Sequence, residues 1–166
     1  MVAESNDFQD IVVSLKKEAY SNIVFQTMDM MRVLSADKRV THVFKLDDDS
    51  FVRPHQLFDL LAGYHRRHHE VEFLAGNIEF VSSPIRDPNS KWYVSVEEWS
   101  KESYPVWAHG AGYVLTSKLS RNIGAGIPYL INDGKVLPNE DVAVGSWIEY
   151  QSKVFHMYVK YFHDLR

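Results

Sequence analysis

The stretch "VTHVFKLDDDSFVRPHQLFDLLAGY", residues 40–64, decides the fold. Val40–Leu46 is apolar and rich in β-branched and aromatic residues, which predicts a strand. Pro54 suits the first turn of a helix, and Leu57, Leu60, Leu61 and Tyr64 then recur at helical spacing. Between the two elements stand Asp47, Asp48 and Asp49. Adjacent carboxylates repel one another, and a cation or a solvated turn is the usual relief.

Outward from this unit the apolar period keeps switching. Upstream, Tyr20, Ile23, Val24, Met28, Met31 and Leu34 predict an amphipathic helix that ends around "SADK" (35–38), and "DIVV" (Asp10 to Val13) reads as an earlier strand. Downstream, "VEFLAGNIEF" (71–80) is strand-like, "SKLSRNI" (117–123) and "EDVAVGSWIEYQ" (140–151) are helical, and "VFHMYV" (154–159) is a late strand. An aromatic, turn-rich segment, residues 87–115, separates the two halves. Such alternation predicts a single α/β domain over residues 1–166, a mixed sheet flanked by helices.

Composition narrows the function classes. The net charge of −4 carries no basic nucleic-acid footprint, so no nucleic-acid partner is expected. With no cysteine, disulfides, thiolate metal sites and cysteine nucleophiles are excluded. No apolar run reaches membrane-spanning length, and "MVAESNDFQD" is too acidic and polar for a signal segment. A GxSxG elbow, a Walker loop and a GxGxxG fingerprint are all missing from the sequence.

In open α/β sheets ligands bind outside the carboxyl ends of strands, where the three aspartates fall. Strand alternation, continued past Leu46, sends Asp47 and Asp49 to one side, where oxygen-only ligation favours Mg²⁺ or Mn²⁺. The alternative is a solvated acidic turn ahead of the helix. An EF-hand fails, because Val52 and Phe58 stand where its Gly and Glu belong. A second acidic pair, Glu140 and Asp141, opens a helix, where local N–H groups stabilise the ionised form; it is a base or a cap. Between the two acidic sites, Gly110 and Gly112 permit close backbone approach, and Tyr104, Trp107 and Tyr113 offer flat faces for a sugar or base ring. That segment reads equally as a tight strand-to-helix turn with aromatic packing. "YHRRHHE" (64–70) gathers three histidines at the polar end of a helix and reads as a solvated face.

In order, "DDDSFVRP", "LAGNIEF", "KWYVSVEEWSKESYPVWAHGAGYVLTSKLS" and "NEDVAVGSWIE" resemble the β-1,3-galactosyltransferase family, fringe-like inverting glycosyltransferases of the GT-A fold. The resemblance implies transfer of galactose from UDP-galactose to a hydroxyl of a glycan or glycoprotein acceptor, with inversion, in the Golgi lumen, by proteins that are membrane-anchored at full length. It implies Mn²⁺ as cofactor, ligated by Asp49 with Asp47. Asp47 and Asp48 would also support the nucleotide, and Asp141 would be the general base with Glu140 beside it. The segment carrying Lys91, Trp92, Tyr104, Trp107, Gly110 and Gly112 would line the substrate site. Measured against that family, the N-terminal nucleotide-binding unit is expected to be incomplete, and neither His156 nor His163 is assigned as a metal ligand. The alternative function is a noncatalytic remnant that binds a ligand or a partner. A haloacid-dehalogenase-type phosphatase ranks last, since Phe51 stands where it wants Thr or Val.

Overall fold

The computed structural model describes residues 5–7, 11–13, 19, 22–68, 71–125, 137–151 and 154–159. In chain order the elements are α1 (Ile23–Ala36), β1 (His42–Leu46), α2 (Pro54–Arg67), β2 (Phe73–Glu79), β3 (Trp107–Thr116), α3 (Ser117–Gly124), α4 (Glu140–Glu149) and β4 (Phe155–Tyr158). The four strands form one mixed sheet in the order β1-β3-β2-β4. β3 runs antiparallel to both β1 and β2, and β4 runs parallel to β2. No described helix is long and apolar enough to cross a membrane.

Each face of the sheet is covered by helices, as its alternating burial requires. On one face Leu74, Tyr113 and Leu115 pack with Met28 and Met31 of α1, Leu119 and Ile123 of α3, and Val144, Trp147 and Ile148 of α4. On the other, Phe73, Ala75 and Val114 pack with Leu61 and Tyr64 of α2 and with Val159. This is the α/β mixed-sheet architecture expected from the alternating periods, and it agrees with the GT-A-like fold that the family resemblance implies. α1 and α3 are held in close contact by Gly124, where an added Cβ would come within 2.6 Å of the Arg32 Cα. α4 lies equally tightly on β3: a Cβ on Gly145 would meet the Trp107 Cβ at 2.6 Å and the Val106 carbonyl oxygen at 2.7 Å.

One irregularity places the site. Gly76 of β2 faces Tyr113, and Ile78, two residues on, faces Ala108. Residues 109–112 therefore bulge outward opposite Asn77 alone, which frees the backbone there for other partners. On the β1 side only the end of that segment is tied, with Leu46 opposite Gly112 and the Asp47 N–H donating to the Ala111 carbonyl at 3.4 Å.

Three expectations are corrected. Ile11–Val13 form no strand, and Val12 is exposed, because β-branched composition alone supplies no pairing partner; Asp10 lies outside the described residues. The predicted helix begins at Ile23, and Tyr20 also lies outside them. Residues 107–116, read as aromatic and turn-rich, form the longest strand of the sheet.

Candidate active site

β1 stops at Leu46, and the Ser50 N–H donates to the Asp47 carbonyl at 3.1 Å, closing a turn over the three aspartates. The alternation expected to send Asp47 and Asp49 to one side therefore ends before it reaches them. Asp48 and Asp49 lie exposed on the turn, while Asp47 is half-buried and its carboxylate receives the Lys45 ammonium.

Lys45 escaped the sequence reading. It stands two residues from Val43 and shares that residue's inward direction, so it is buried while its apolar neighbour Leu46 is exposed. The register was the available signal, because a lysine on the inward face of a strand needs compensation. Four partners supply it. Besides Asp47, Nζ donates to the Gly110 carbonyl at 2.5 Å, lies 3.5 Å from Glu140 Oε2, and sits 5.9 Å from the centroid of the Tyr113 ring.

Glu140 and Asp141 open α4 behind Asn139, as predicted, but their side chains differ in environment. Glu140 is buried, and the Tyr113 hydroxyl donates to its Oε1 at 2.5 Å. Burial pushes the Glu140 carboxyl above its ordinary range, against the opposing pull of Lys45 and the tyrosine hydrogen bond. Burial also pushes the Tyr113 hydroxyl well up, reinforced by the Glu140 charge. Asp141 Oδ1 accepts the Val142 N–H at 2.8 Å. Burial raises the Asp141 carboxyl too, countered by that hydrogen bond and by the nearby His109 and Lys45. A raised carboxyl is a stronger proton acceptor once ionised.

The bulge on β3 joins the two acidic groups. A Cβ built on Gly110 would lie 3.6 Å from Lys45 Nζ and 3.7 Å from Asp141 Oδ2, so the glycine leaves open the space between ammonium and carboxylate. Gly112 is held in the ladder opposite Leu46. His109 stands 3.7 Å from Glu79 through Nε2 and stacks on Trp107 at 4.6 Å between ring centroids. Trp107 donates through Nε1 to Ser82 Oγ at 2.8 Å. Tyr104 is partly buried, packs 5.9 Å from the Trp99 ring, and has Asp141 among the charges acting on its hydroxyl. Lys91 and Trp92 pair with each other, the ammonium 4.6 Å from the ring centroid, on the loop between β2 and β3. Arg86 fastens that loop by donating to the carbonyls of Val94, Trp99 and Lys101.

Among the described residues, no three His, Asp or Glu side chains converge as a ready-made metal cage. Asp48 and Asp49 instead offer exposed carboxylate oxygens, a donor set that suits a hard divalent ion held by one or two carboxylates and completed by phosphate and water. The histidine-rich end of α2 has His65 exposed and His68 packed 4.7 Å from the Tyr64 ring; His69 lies outside the described residues. His156 sits on β4, and burial lowers its pKa; His163 lies outside the described residues.

The chain is 34% identical over 152 residues to beta-1,3-galactosyltransferase GALT1 of Arabidopsis thaliana, a match covering 90% of this chain and 23% of that protein. It is 31% identical over 163 residues to hydroxyproline O-galactosyltransferase GALT6 of the same plant, covering 98% and 23%. To beta-1,3-galactosyltransferase 5 of Mus musculus it is 32% identical over 146 residues, covering 86% and 44%. The chain thus spans less than half the length of these relatives. The family model described as Galactosyltransferase matches residues 1–157, nearly the whole chain, and with the four ordered motifs it places the chain in the galactosyltransferase family.

Proposed function

We propose that this chain carries the nucleotide-side turn and the general base of a β-1,3-galactosyltransferase that uses UDP-galactose and Mn²⁺. The observation that carries the reading is the pairing of two unlike acidic sites across one glycine bulge. An exposed aspartate turn suits a metal-bound pyrophosphate, and a half-buried Asp141 with a raised carboxyl suits proton abstraction. Family membership supports the sugar.

In this reading Asp49, with Asp47 or Asp48, would hold the metal, which when bound neutralises charge developing on the departing diphosphate. Asp141 accepts the proton of the acceptor hydroxyl as that oxygen bonds to the anomeric carbon. The bond from that carbon to the UDP oxygen breaks, its electron pair leaves with UDP, and the configuration inverts. Glu140, already engaged by Tyr113 and facing Lys45, holds the helix start in place. Tyr104 and Trp107 offer ring faces to the sugars, and Gly110 lets them approach the backbone. By the same family reading the acceptors are glycans or glycoproteins in the Golgi lumen.

The test is calorimetric titration with UDP, with and without Mn²⁺, on the wild type and on Asp49→Ala. Metal-dependent binding lost in the variant supports the donor site and leads to a transfer assay on β-galactoside acceptors. Absence of binding in every condition sinks the reading and favours a noncatalytic binding role for this chain.

A further inference from the structure

We infer that Lys45 is a positioning residue that ties the aspartate turn to the start of α4, so that the two acidic sites hold one geometry. This goes beyond the proposed function, which assigns the lysine no part, and it rests on that reading for its catalytic consequence.

The argument is one of connectivity. The Lys45 side chain is only 10% exposed, and its ammonium reaches three separately folded pieces of chain: the turn through Asp47, the β3 bulge through the Gly110 carbonyl, and α4 through Glu140. A buried ammonium is tolerated when it is paired and its N–H groups are satisfied, and here each partner belongs to a different piece. An apolar side chain could fill the space but could not tie the three pieces together. A movement of the turn away from α4 would strip the cation of Asp47 or of Glu140, leaving a buried charge under-compensated. The turn and the helix start therefore move together or not at all. Asp141 adjoins Glu140 in sequence, so the lysine fixes the base relative to the metal-binding side without touching a reacting atom.

The variants for the test are Lys45→Met, Glu140→Gln and the two combined. Lys45→Met alone leaves Glu140 buried without its cation and is expected to fold poorly; removing both charges restores a foldable interior. The first readout is amide hydrogen exchange at Asp47 and Ser50, whose N–H groups bond the Ala111 and Asp47 carbonyls. In the double variant exchange at both amides should rise together by about tenfold or more, with thermal stability near wild type, and Glu140→Gln alone, which weakens the tie to α4 but keeps those to Asp47 and Gly110, should give a smaller rise. The second readout is Mn²⁺-dependent UDP affinity and the split between donor KM and kcat. The double variant should lose about tenfold in UDP affinity and about tenfold in kcat, with Glu140→Gln falling between it and the wild type.

A double variant with wild-type exchange at the two amides overturns the inference. So does one that regains UDP affinity and turnover along with its stability, because that is the behaviour of a merely structural buried pair. A wild type that binds no UDP sinks the functional reading instead, and the exchange measurement still decides whether Lys45 couples the two pieces.

Discussion

The turn at Asp47–Asp49 and the helix start at Glu140–Asp141 carry the same functional group in opposite surroundings. On the turn, two of three carboxylates face water and are free to exchange partners. At the helix start, Glu140 is 7% exposed, and burial raises both carboxyls. The difference teaches how one side-chain chemistry is divided between two tasks. A hydrated acid can take up and release a cation with its ligand, whereas a desolvated acid holds a proton more tightly and removes one more effectively when ionised.

The largest effect that could break this division is Asp141→Asn. Turnover should fall by about 10² to 10⁴ with UDP affinity retained, measured by steady-state kinetics beside calorimetry. An equal loss of UDP affinity would mean that the two acidic sites are not separate in role. Asp49→Ala should do the reverse, weakening Mn²⁺-dependent UDP binding by about tenfold or more, since removing a ligand or its support costs on that scale.

Gly145→Ala tests whether the burial of Glu140 depends on the closeness of α4 to β3. The new methyl would meet the Trp107 Cβ and the Val106 carbonyl inside contact distance, neither of them a flexible side-chain end. The expected cost is about 1–3 kcal/mol in denaturant unfolding. A neutral result would show that α4 can retreat from the sheet.

The pH dependence of stability sharpens the comparison further. Because burial raises Glu140 and Asp141, the folded chain keeps their protons to a higher pH than the unfolded chain does. Their contribution is thus most favourable below the ordinary carboxylate range, declines as pH climbs through the raised values, and levels off above them. Asp141→Asn removes one share of that decline, so its melting temperature should gain on the wild type as pH rises across that window. A gap that stays constant with pH would contradict the burial of Asp141. The smallest effect belongs to Asp48→Asn, on the exposed turn, where stability should stay within about 0.5 kcal/mol of wild type by the same denaturant measurement.

Much of the fold was legible because its elements obey simple periods. Pro54 opens α2, residues 71–80 contain β2, residues 117–123 lie within α3, and Glu140 opens α4, each close to where spacing put it. β3 was not legible, since Gly110 and Gly112 are punctuation in a local reading; Gly112 becomes a strand residue only when Leu46 of β1 pairs with it, and Gly110 lies in the bulge within the strand. Both acidic groups were legible as candidates from their place at the ends of elements. Their electrostatic difference was not, because burial is decided by helices distant in sequence. Lys45 was missed for the same reason: hydropathy assigns a lysine outward, and only register with Val43 turns it in.

The bulge at residues 109–112 has a bearing on how such a site can change over generations. On one side only its end is tied to β1, at Gly112 and through the Ala111 carbonyl, and on the other it answers to a single residue of β2, so few backbone pairings hold its middle. A side-chain change at Ala111 would therefore leave the sheet's count and pairing in place. Gly110 is the exception, set between an ammonium and a carboxylate. A change at His109, by contrast, would also alter the charge that acts on Asp141, so the bulge can vary in shape more freely than in charge.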